Sequence, residues 1–315
     1  MEATTRPPTW KVLLAFAIIY LVWGSTFFAI RVGVREVPPF LLAAMRFLVA
    51  GIVLYAWARS RGVPAPTAVE WRGAMMLAGL IFVMDYGGVF WAERRVPSGI
   101  TAVMLATIPA FMALSEILII KTRRLTGRLA VALLLGIGGV AVLVGHSAAL
   151  GQAAIDAVGA CVLLLASVSW SIASALSRKL PSPSAKVMSS AAQMCAGGLL
   201  LMIVAAFAGE FRGFNPAAVS AKAWFALAYL IVPGSIVGFT AYVWLLHHES
   251  PTRVGTYAYV NPIVAVLVGY FLGGEAIGVR TIAGTALVLV SVVIITTAPK
   301  AGKQIEPVAQ EVESA

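Results

Sequence analysis

The stretch TYAYVNPIVAVLVGYFLGG, residues 256–274, decides the class of this protein. It is apolar, carries no charged side chain, and is about as long as the roughly 20 residues that a helix needs to cross a membrane. Yet Asn261 and Pro262 lie near its middle, and a proline inside a helix removes a backbone hydrogen bond and clashes with the preceding turn. Irregular backbone at membrane depth is tolerated where it lines a cavity or packs within protein. The stretch therefore predicts a membrane helix whose backbone is irregular near its middle, where it lines a cavity or packs within protein.

Similar apolar runs recur along the whole chain. The 315 residues are 60% hydrophobic and 11% charged, with a mean hydropathy of +0.93. Ten runs fit a membrane crossing, three of them with one internal charge: 12–30, 37–58 around Arg46, 73–92 around Asp85, 96–120 around Glu116, 129–146, 157–177, 187–209, 223–246, 254–274 and 281–299. Lipid offers the backbone no hydrogen-bond partners, so the runs should be helices. The sequence predicts an all-α integral membrane protein with ten transmembrane helices.

The basic residues indicate an orientation in the membrane. The net charge is +10. With the N-terminus placed in the cytoplasm, fifteen Lys and Arg residues fall in inner loops and seven in outer loops. The inner set is Arg6, Lys11, Arg59, Arg61, Arg72, Lys121, Arg123, Arg124, Arg128, Arg178, Lys179, Lys186, Arg253, Lys300 and Lys303, and the outer set is Arg31, Arg35, Arg94, Arg95, Arg212, Lys222 and Arg280. The positive-inside rule then predicts both termini in the cytoplasm. The basic excess suits anionic lipid, and nucleic acid is not expected as a partner.

The spacing of landmark residues indicates two copies of a five-helix unit. The repeated spacings are 28 residues from Trp23 to Gly51 and from Trp170 to Gly198, and 18 residues from Trp91 to Pro109 and from Trp244 to Pro262. Because five is odd, the copies must enter the membrane from opposite sides. We expect inverted repeats at 12–146 and 156–298, followed by a disordered cytoplasmic tail at 299–315. Many secondary transporters have this arrangement, with the substrate near the midplane between the repeats.

Motifs for enzymatic chemistry are missing from the sequence. It contains no HExxH, no GxSxG and no phosphate-binding GxxxxGK[ST]. Cys161 and Cys195 fall inside predicted helices without metal-site spacing, and we interpret both as packing residues. We therefore expect no enzymatic activity, no metal and no cofactor.

Ionisable residues inside the spans are candidates for function, because each costs roughly 2.5–3.5 kcal/mol on insertion scales. Arg46 and Asp85 lie at similar depth. In one interpretation Arg46 binds a substrate carboxylate and Asp85 carries a proton; in the other they form a structural ion pair. Glu93 is interpreted as a gate charge or a helix-end cap, and it is a further candidate for proton coupling after Asp85. Glu116 is interpreted as a proton carrier or an interfacial ion-pair partner.

The two matched prolines and several aromatic residues complete the candidate site. Pro109 and Pro262 fall at equal depth in the two copies, so the carbonyl groups that they free could bind a ligand, unless the kinks are purely structural. Aromatic residues at helical spacing on helix 3 favour a pocket for a flat or cationic solute, or a packing stripe. The predicted substrate contacts are Arg46, Tyr86, Phe90, Trp91, Pro109, Tyr257, Asn261 and Pro262.

Several motifs resemble the EamA family of the drug/metabolite transporter superfamily. They are WGSTFFAIRVG at 23–33, AMRFLVAG at 44–51, AERRVPSGITAV at 92–103, TIPAF at 107–111, TYAYVNP at 256–262 and GGE at 273–275. In order and spacing they are most similar to the YedA-like inner-membrane exporters. The resemblance implies two EamA repeats and the export of small metabolites or drugs across a bacterial inner membrane. One departure concerns the acidic residue that ends the fourth helix of many such repeats, which is Glu275 in the second copy but Lys121 in the first.

Together these features predict a secondary active transporter of the cell inner membrane. It would export small, amino-acid-like metabolites or drugs by alternating access, driven by the proton gradient. The alternative is a passive facilitator or channel with the same fold. The expected partners are a small-molecule substrate and membrane lipid, and a homodimer is left open.

Overall fold

The computed structural model describes residues 7–115, 117, 125–144, 155–177, 179–249 and 251–297, and these are helical without strands. The main helices are α1 (Thr9–Gly33), α2 (Pro39–Ser60), α3 (Ala68–Ala92), α4 (Ser98–Ser115), α5 (Gly127–Val144), α6 (Ala157–Leu176), α7 (Lys186–Phe207), α8 (Ala221–Leu245), α9 (Tyr257–Gly273) and α10 (Val279–Thr296). Of the described helices, nine are long and apolar enough to cross a membrane, and α9 is a shorter apolar helix. The prediction of an all-α fold with ten membrane helices is confirmed.

Contacts between α2 and α7 relate the two copies. A Cβ atom on Gly51 would lie 2.7 Å from the backbone nitrogen of Cys195, and one on Gly198 would lie 2.6 Å from that of Leu48. Gly51 and Leu48 stand in the first copy where Gly198 and Cys195 stand in the second, so each contact is the image of the other. The partner numbers run in opposite directions, which makes the two helices antiparallel, as inverted copies require.

Helices α5 and α10 form a second reciprocal pair. A Cβ atom on Gly139 would meet the Val288 side chain at 2.8 Å, and one on Gly284 would meet the Leu143 side chain at 2.5 Å. In addition α1 packs against α8 and α9, while α6 packs against α3 and α4. Each half therefore buries much of its apolar surface against the other half, and the ten helices form one interlocked bundle.

The third helix of each copy is irregular. Helix α3 contains a π-helical segment at Gly79–Gly87, and α8 contains one at Leu230–Val237. In α8, Pro233 cannot donate a backbone hydrogen bond, and the Ser235 hydroxyl donates to the Leu230 carbonyl over 2.9 Å. Such π-helical turns are rare and often lie at functional sites. Pro233 was a sequence signal for the break in α8, whereas nothing comparable marks the one in α3.

The two matched prolines are accommodated differently. Helix α4 is interrupted at Ala106 and Thr107, just before Pro109, and the Thr107 hydroxyl donates to the Met104 carbonyl over 2.6 Å. Helix α9 runs without interruption through Pro262. The expected break near the proline is therefore present in α4 only.

The bundle has two faces because consecutive helices alternate in direction. The start of α1 and the segments 61–67, 179–185 and 251–256 lie on what we call the amino-terminal face. The connections 34–38, 93–97, 208–220 and 274–278 lie on the opposite face. The charge distribution predicts that the amino-terminal face is cytoplasmic.

Candidate substrate-binding site

Arg46 lies in the middle of a cluster of aromatic rings. The residue is 4% exposed, and its guanidinium carbon is 4.7, 5.6 and 5.9 Å from the ring centres of Phe47, Tyr86 and Phe90. Its Nε atom donates to the Ser235 hydroxyl over 3.0 Å. Its Nη1 atom has no hydrogen-bond partner among the described residues. The side chain is thus a buried cation held by three π-faces and one hydroxyl.

Asp85 does not pair with Arg46. It is also 4% exposed, and its Oδ1 atom lacks a hydrogen-bond partner within the described part of the chain. The next residue, Tyr86, faces the guanidinium group, and successive side chains on a helix point in different directions. The ion pair considered from the sequence is therefore not formed, although both residues are buried.

A second aromatic cluster lies between α1, α8 and α9. The ring of Trp23 is 5.4 Å from that of Tyr242 and 5.2 Å from that of Tyr257, and the two tyrosine rings are 6.0 Å apart. The Trp23 indole nitrogen donates to the Gly234 carbonyl over 3.1 Å. Helix α1 thereby forms one aromatic wall with α8 and α9, which are distant from it in sequence.

The π-helical segment of α8 joins the two clusters. Gly234 accepts a hydrogen bond from Trp23, and the next residue, Ser235, accepts one from Arg46. A Cβ atom on Gly234 would lie 3.5 Å from the Arg46 Nη2 atom, so a glycine lets the backbone approach the guanidinium group. The irregular segment therefore positions both clusters around the centre of the bundle.

A cavity of about 380 Å³ opens at the amino-terminal face. It is lined by Ser182, Pro183, Ser184, Lys186, Ser189, Ser190, Phe239, Tyr242 and Val243. Small-molecule sites usually have volumes of roughly 300–1,000 Å³. Tyr242 belongs both to the cavity and to the second aromatic cluster, so the cavity adjoins these half-buried rings.

At the opposite face an ion-pair layer joins α1, the N-terminus of α4 and the residue after α9. Glu275, which follows α9, accepts hydrogen bonds from the Ser98 backbone nitrogen (2.8 Å), the Ser98 hydroxyl (2.7 Å) and the Gly99 backbone nitrogen (3.0 Å). Its carboxylate therefore caps the N-terminus of α4, where a negative charge is favoured. The Arg31 Nε atom lies 3.3 Å from the same carboxylate. We call these four residues, together with Glu93, the Arg31–Glu275 layer.

Glu93 is the unsatisfied member of this layer. Arg31 donates to the backbone carbonyls of Glu93 (2.9 Å) and Val96 (2.6 Å), not to the Glu93 carboxyl group. That carboxyl is 1% exposed, and neither of its oxygens has a hydrogen-bond partner among the residues described. Burial raises the pKa of Glu93 well above its usual range, although Arg31 lowers it and Glu275 raises it further. The interpretation of the Glu93 side chain as a helix-end cap is wrong, because it makes no capping hydrogen bond.

Asn261 serves as a connection between helices. With its nitrogen turned toward the two carbonyl groups, its buried amide donates to the backbone oxygens of Tyr20 and Tyr257, each at 3.3 Å. This arrangement ties α9 to α1 and occupies both amide hydrogens. The adjacent Pro262 is buried beside it.

The remaining predicted contacts lie apart from the Arg46 cluster or outside the described residues. Trp91 stacks against the Arg95 guanidinium carbon at 4.0 Å. Next to Pro109, the Ile108 carbonyl accepts a hydrogen bond from Ser171 of α6 over 3.3 Å. Glu116 lies outside the described residues.

Several residues of the site could not be predicted from the sequence. Phe47, Trp23 and Tyr242 look like ordinary aromatic residues of apolar spans, and Ser235 looks like a small polar packing residue. Arg31 was counted only as a loop charge. The Pro-Gly-Ser sequence at 233–235, inside an otherwise apolar run, was the one local signal for an irregular and polar segment. In the described part of the chain, no group of three or more His, Cys, Asp or Glu side chains is placed to hold a metal ion.

Comparison with known proteins adds independent findings. Residues 10–145 and 157–297 each match the EamA-like transporter family. The uncharacterised inner membrane transporter YedA of Escherichia coli K12 is 36% identical over 90% of this chain and 89% of its own length. Protein PecM of Dickeya dadantii is 25% identical over 87% of this chain and 88% of its own length. A solved crystal structure with 22% identity covers 92% of this chain and 96% of its own, with a TM-score of 0.59, and shares the fold.

Proposed function

The chain belongs to the EamA-like transporter family, a family of transporters and not of enzymes, and from that premise we propose that it is a secondary active exporter of small metabolites or drugs. Its relative in Escherichia coli is named an inner membrane transporter, and this chain too is a multi-pass protein of the inner membrane. The proposal adds three points to membrane transport itself: the outward direction, alternating access and coupling to protons.

The difference between the two faces supports alternating access. At the amino-terminal face a cavity of about 380 Å³ is lined in part by Tyr242, whose ring packs against those of Trp23 and Tyr257. At the opposite face the carboxylate of Glu275 binds α4 and Arg31 and closes the bundle. A transporter that is open on one side and closed on the other has this form, whereas a channel needs a continuous path.

The substrate contacts in this proposal lie along the path from the cavity to Arg46. Tyr242 and Tyr257 contact the solute first, and Arg46, Tyr86 and Phe90 form the deeper part of the site. Asn261, Pro262 and Pro109 shape the helices around it, because Asn261 already donates its amide to backbone carbonyls. Trp91 takes no direct part, since its ring stacks on Arg95.

Glu93 is the proposed proton-binding group, and Asp85 is the second candidate. The carboxyl of Glu93 is buried beside Arg31 without a hydrogen-bond donor among the described residues. A neutral carboxyl suits that position better than a charged one, because an uncompensated buried charge is costly. Proton binding at Glu93 thereby favours the closed layer and couples protons to the change between the two states.

Flux measurements in liposomes test the transport mode. The purified protein is reconstituted and supplied with amino acids or toxic organic cations under an imposed pH gradient. A secondary transporter shows saturable flux that concentrates the solute and stops when the gradient is collapsed. Flux that only equilibrates the solute would instead favour the passive facilitator or channel.

Cysteine labelling tests the orientation on which the outward direction depends. Ser182→Cys reports on the amino-terminal face and Ala217→Cys on the opposite face, each in a variant whose Cys161 and Cys195 are replaced by alanine. An impermeant reagent added to intact cells should label Ala217→Cys and spare Ser182→Cys. The reverse pattern would place the amino-terminal face outside and contradict the orientation predicted from the basic residues.

A further inference from the structure

Arg46 specifies the chemical class of the transported solute, and this inference rests on the transport function proposed above. We propose that the substrate is an organic anion, with a carboxylate or a similar planar anionic group that binds the Arg46 guanidinium and an apolar or aromatic body that lies against the surrounding rings. The two other arginines of the bundle interior provide the comparison.

The guanidinium groups of the other two arginines lie against acceptors of the protein itself, although the Arg31 Nε atom makes no hydrogen bond within the described residues. Arg31 contacts the Glu275 carboxylate and two backbone carbonyls. Arg280 is buried in α10 and donates from Nε to the Val142 carbonyl (3.2 Å) and from Nη2 to the Leu143 carbonyl (3.0 Å). Their positions are explained by the ends of helices that they hold.

Arg46 differs because, among the described residues, it has no acid beside it and donates to no backbone carbonyl. Its Nε atom uses the Ser235 hydroxyl, but Nη1 is without a partner in the described structure, and no described carboxylate pairs with the guanidinium group. A guanidinium group presents a fork of donors that matches a carboxylate with two parallel hydrogen bonds. The unused donors of a buried arginine therefore fit an anionic ligand.

The rings around Arg46 add a preference for the body of the ligand. Phe47, Tyr86 and Phe90 surround the guanidinium group, and Tyr86 also packs edge-on against Trp170 of α6. Aromatic faces bind apolar and aromatic groups in offset or edge-to-face arrangements. A solute whose anionic group contacts Arg46 would place its carbon skeleton among these rings.

The lining of the cavity, where a solute would enter, also favours an anion. Lys186 and four serines, Ser182, Ser184, Ser189 and Ser190, line the cavity, and none of its described lining residues is acidic. A cation with hydroxyl groups around it attracts anions and raises their local concentration. Two separate parts of the path, one at the surface and one buried, thus favour the same sign of charge.

Asp85 does not reverse this preference at Arg46. No ion pair joins the two residues in the ranges that the structure describes, and the Asp85 Oδ1 atom has no hydrogen-bond partner there. The charge of Arg46 is therefore not compensated by Asp85.

A matched pair of solutes tests the charge preference. Hippurate carries a carboxylate on an aromatic amide body, and its amide, hippuramide, has the same shape without the charge. Binding to the detergent-purified protein is measured by calorimetry and by the fluorescence of the tryptophans. We expect hippurate to bind at least tenfold more tightly than hippuramide and than the cation tetraphenylphosphonium. Equal binding of hippurate and hippuramide, or tighter binding of the cation, would overturn the proposal.

Variants of Arg46 test whether this residue causes the preference for an anionic solute. In Arg46→Gln the advantage of hippurate over its amide should fall at least tenfold, and in Arg46→Lys it should fall less, because the charge remains while the fork is lost. Arg280→Gln is the matched control: it removes another buried arginine and should leave the advantage unchanged. If Arg46→Gln does not fold, Arg46→Lys decides the matter, and an undiminished hippurate advantage in that variant would place the anion site elsewhere.

The liposome assay separates this proposal from the function on which it rests. Gradient-driven flux of amino acids or cations, with no binding or flux of hippurate, would overturn the anion preference and leave the transport function standing. Hippurate binding without any concentrative flux would support the Arg46 site and contradict secondary active transport.

Discussion

The two faces of the bundle are built from different chemistry. The opposite face is closed by a layer in which one carboxylate, Glu275, binds Arg31 and the N-terminus of α4. The amino-terminal face is open and lined by serines, one lysine and aromatic rings. Ionic hydrogen bonds are strong when dry and are easily replaced by water, so they suit a layer that must close firmly and still open. Hydroxyl groups and rings suit a surface that binds a solute.

The two arginines near these regions show the same difference. Arg31 lies beside an acid and donates to two backbone carbonyl groups, so the protein itself compensates its charge. Arg46 contacts rings and one hydroxyl and keeps an unpartnered donor within the described residues. Which arginine holds the fold and which one is available to a ligand therefore follows from their partners. Four predictions test the contrast between the closed and the open region.

The largest expected effect is that of Glu275→Gln. Loss of the charge weakens three hydrogen bonds and the contact with Arg31, and hydrogen bonds to charged groups are worth about 1.5–3 kcal/mol each. We expect the closed layer to lose about 3 kcal/mol in total relative to the open one. The measurement is the labelling rate of Thr101→Cys, a buried position just below the layer, in protein without its native cysteines.

Glu36→Gln is the matched control for that experiment. Glu36 lies on the same face and accepts hydrogen bonds from the Ser220 backbone nitrogen (2.6 Å) and hydroxyl (2.7 Å), as Glu275 does from Ser98, but it is exposed. Its replacement should leave labelling unchanged. Equal acceleration in both variants would show that the Arg31–Glu275 layer does not close the path.

Gly269→Ala should weaken the same layer without changing its charge. The new Cβ atom would lie 2.4 Å from a Glu275 carboxylate oxygen, so the carboxylate must move away from the Gly99 backbone nitrogen. Overpacking of this kind costs roughly 1–3 kcal/mol, and the flexible glutamate side chain should keep the cost near the lower end. Thr101→Cys labelling should rise less than in Glu275→Gln, whereas Gly79→Ala, which has no neighbour within 4 Å, should have no effect.

The closed layer should also depend on pH through Glu93. Burial raises the pKa of Glu93 above the ordinary 4.5, so the closed state binds a proton more readily than an open, solvated one. Linkage then makes the closed layer most stable below the ordinary pKa, and that extra stability is lost as the pH rises through the raised pKa. Labelling of Thr101→Cys should therefore accelerate with rising pH on the opposite face.

Two variants show whether the Glu93 side chain causes this pH dependence. Glu93→Gln, which mimics the protonated side chain, should be closed at all pH values and lose the slope. Glu210→Gln should keep the slope, because Glu210 lies on the same face but its carboxylate accepts hydrogen bonds from the backbone nitrogens of Phe40 and Leu41. A slope that persists in Glu93→Gln would remove Glu93 from the coupling mechanism.

The smallest expected effect is at the mouth of the cavity. Lys186 is exposed, so its field is screened by salt, and Lys186→Gln should raise the KM for an anionic solute only a few fold at low ionic strength. The difference should vanish near 1 M salt, where the Debye length falls to about 3 Å. Lys179→Gln, an exposed lysine outside the cavity lining, should not change KM, and an equal effect of both variants would point to a general surface-charge effect.

Comparison of sequence and structure shows where local patterns suffice. The ten helices follow from the apolar runs, because lipid forces each run into an internally hydrogen-bonded segment. The matching glycines of the two copies, Gly51 and Gly198, were visible as spacings and form reciprocal contacts in the fold. The family motifs were also legible, and the match at 10–145 and 157–297 confirms the family.

The roles of the buried polar residues were much less predictable. Arg46 and Asp85 look like partners because they lie at one depth, but no ion pair joins them in the described structure. The amide of Asn261, predicted as a substrate contact, instead donates to the backbone oxygens of Tyr20 and Tyr257. The depth of a residue in the membrane is set by its position along the helix. The direction in which its side chain points depends on how the helix is rotated against its neighbours.

The sequence by itself determined the fold class, the helices and the family, since burial in lipid, helix length and motif spacing are all local properties. Only the tertiary structure decided that Arg46 contacts Ser235, 189 residues away, and that Glu275 caps the helix beginning at Ser98, 177 residues away. These contacts depend on the π-helical segments, on the interruption in α4 and on the interlocking of the two halves. Each of these changes the rotation of a helix about its axis, and the hydrophobic pattern of a helix that is apolar on every side carries almost no information about that rotation.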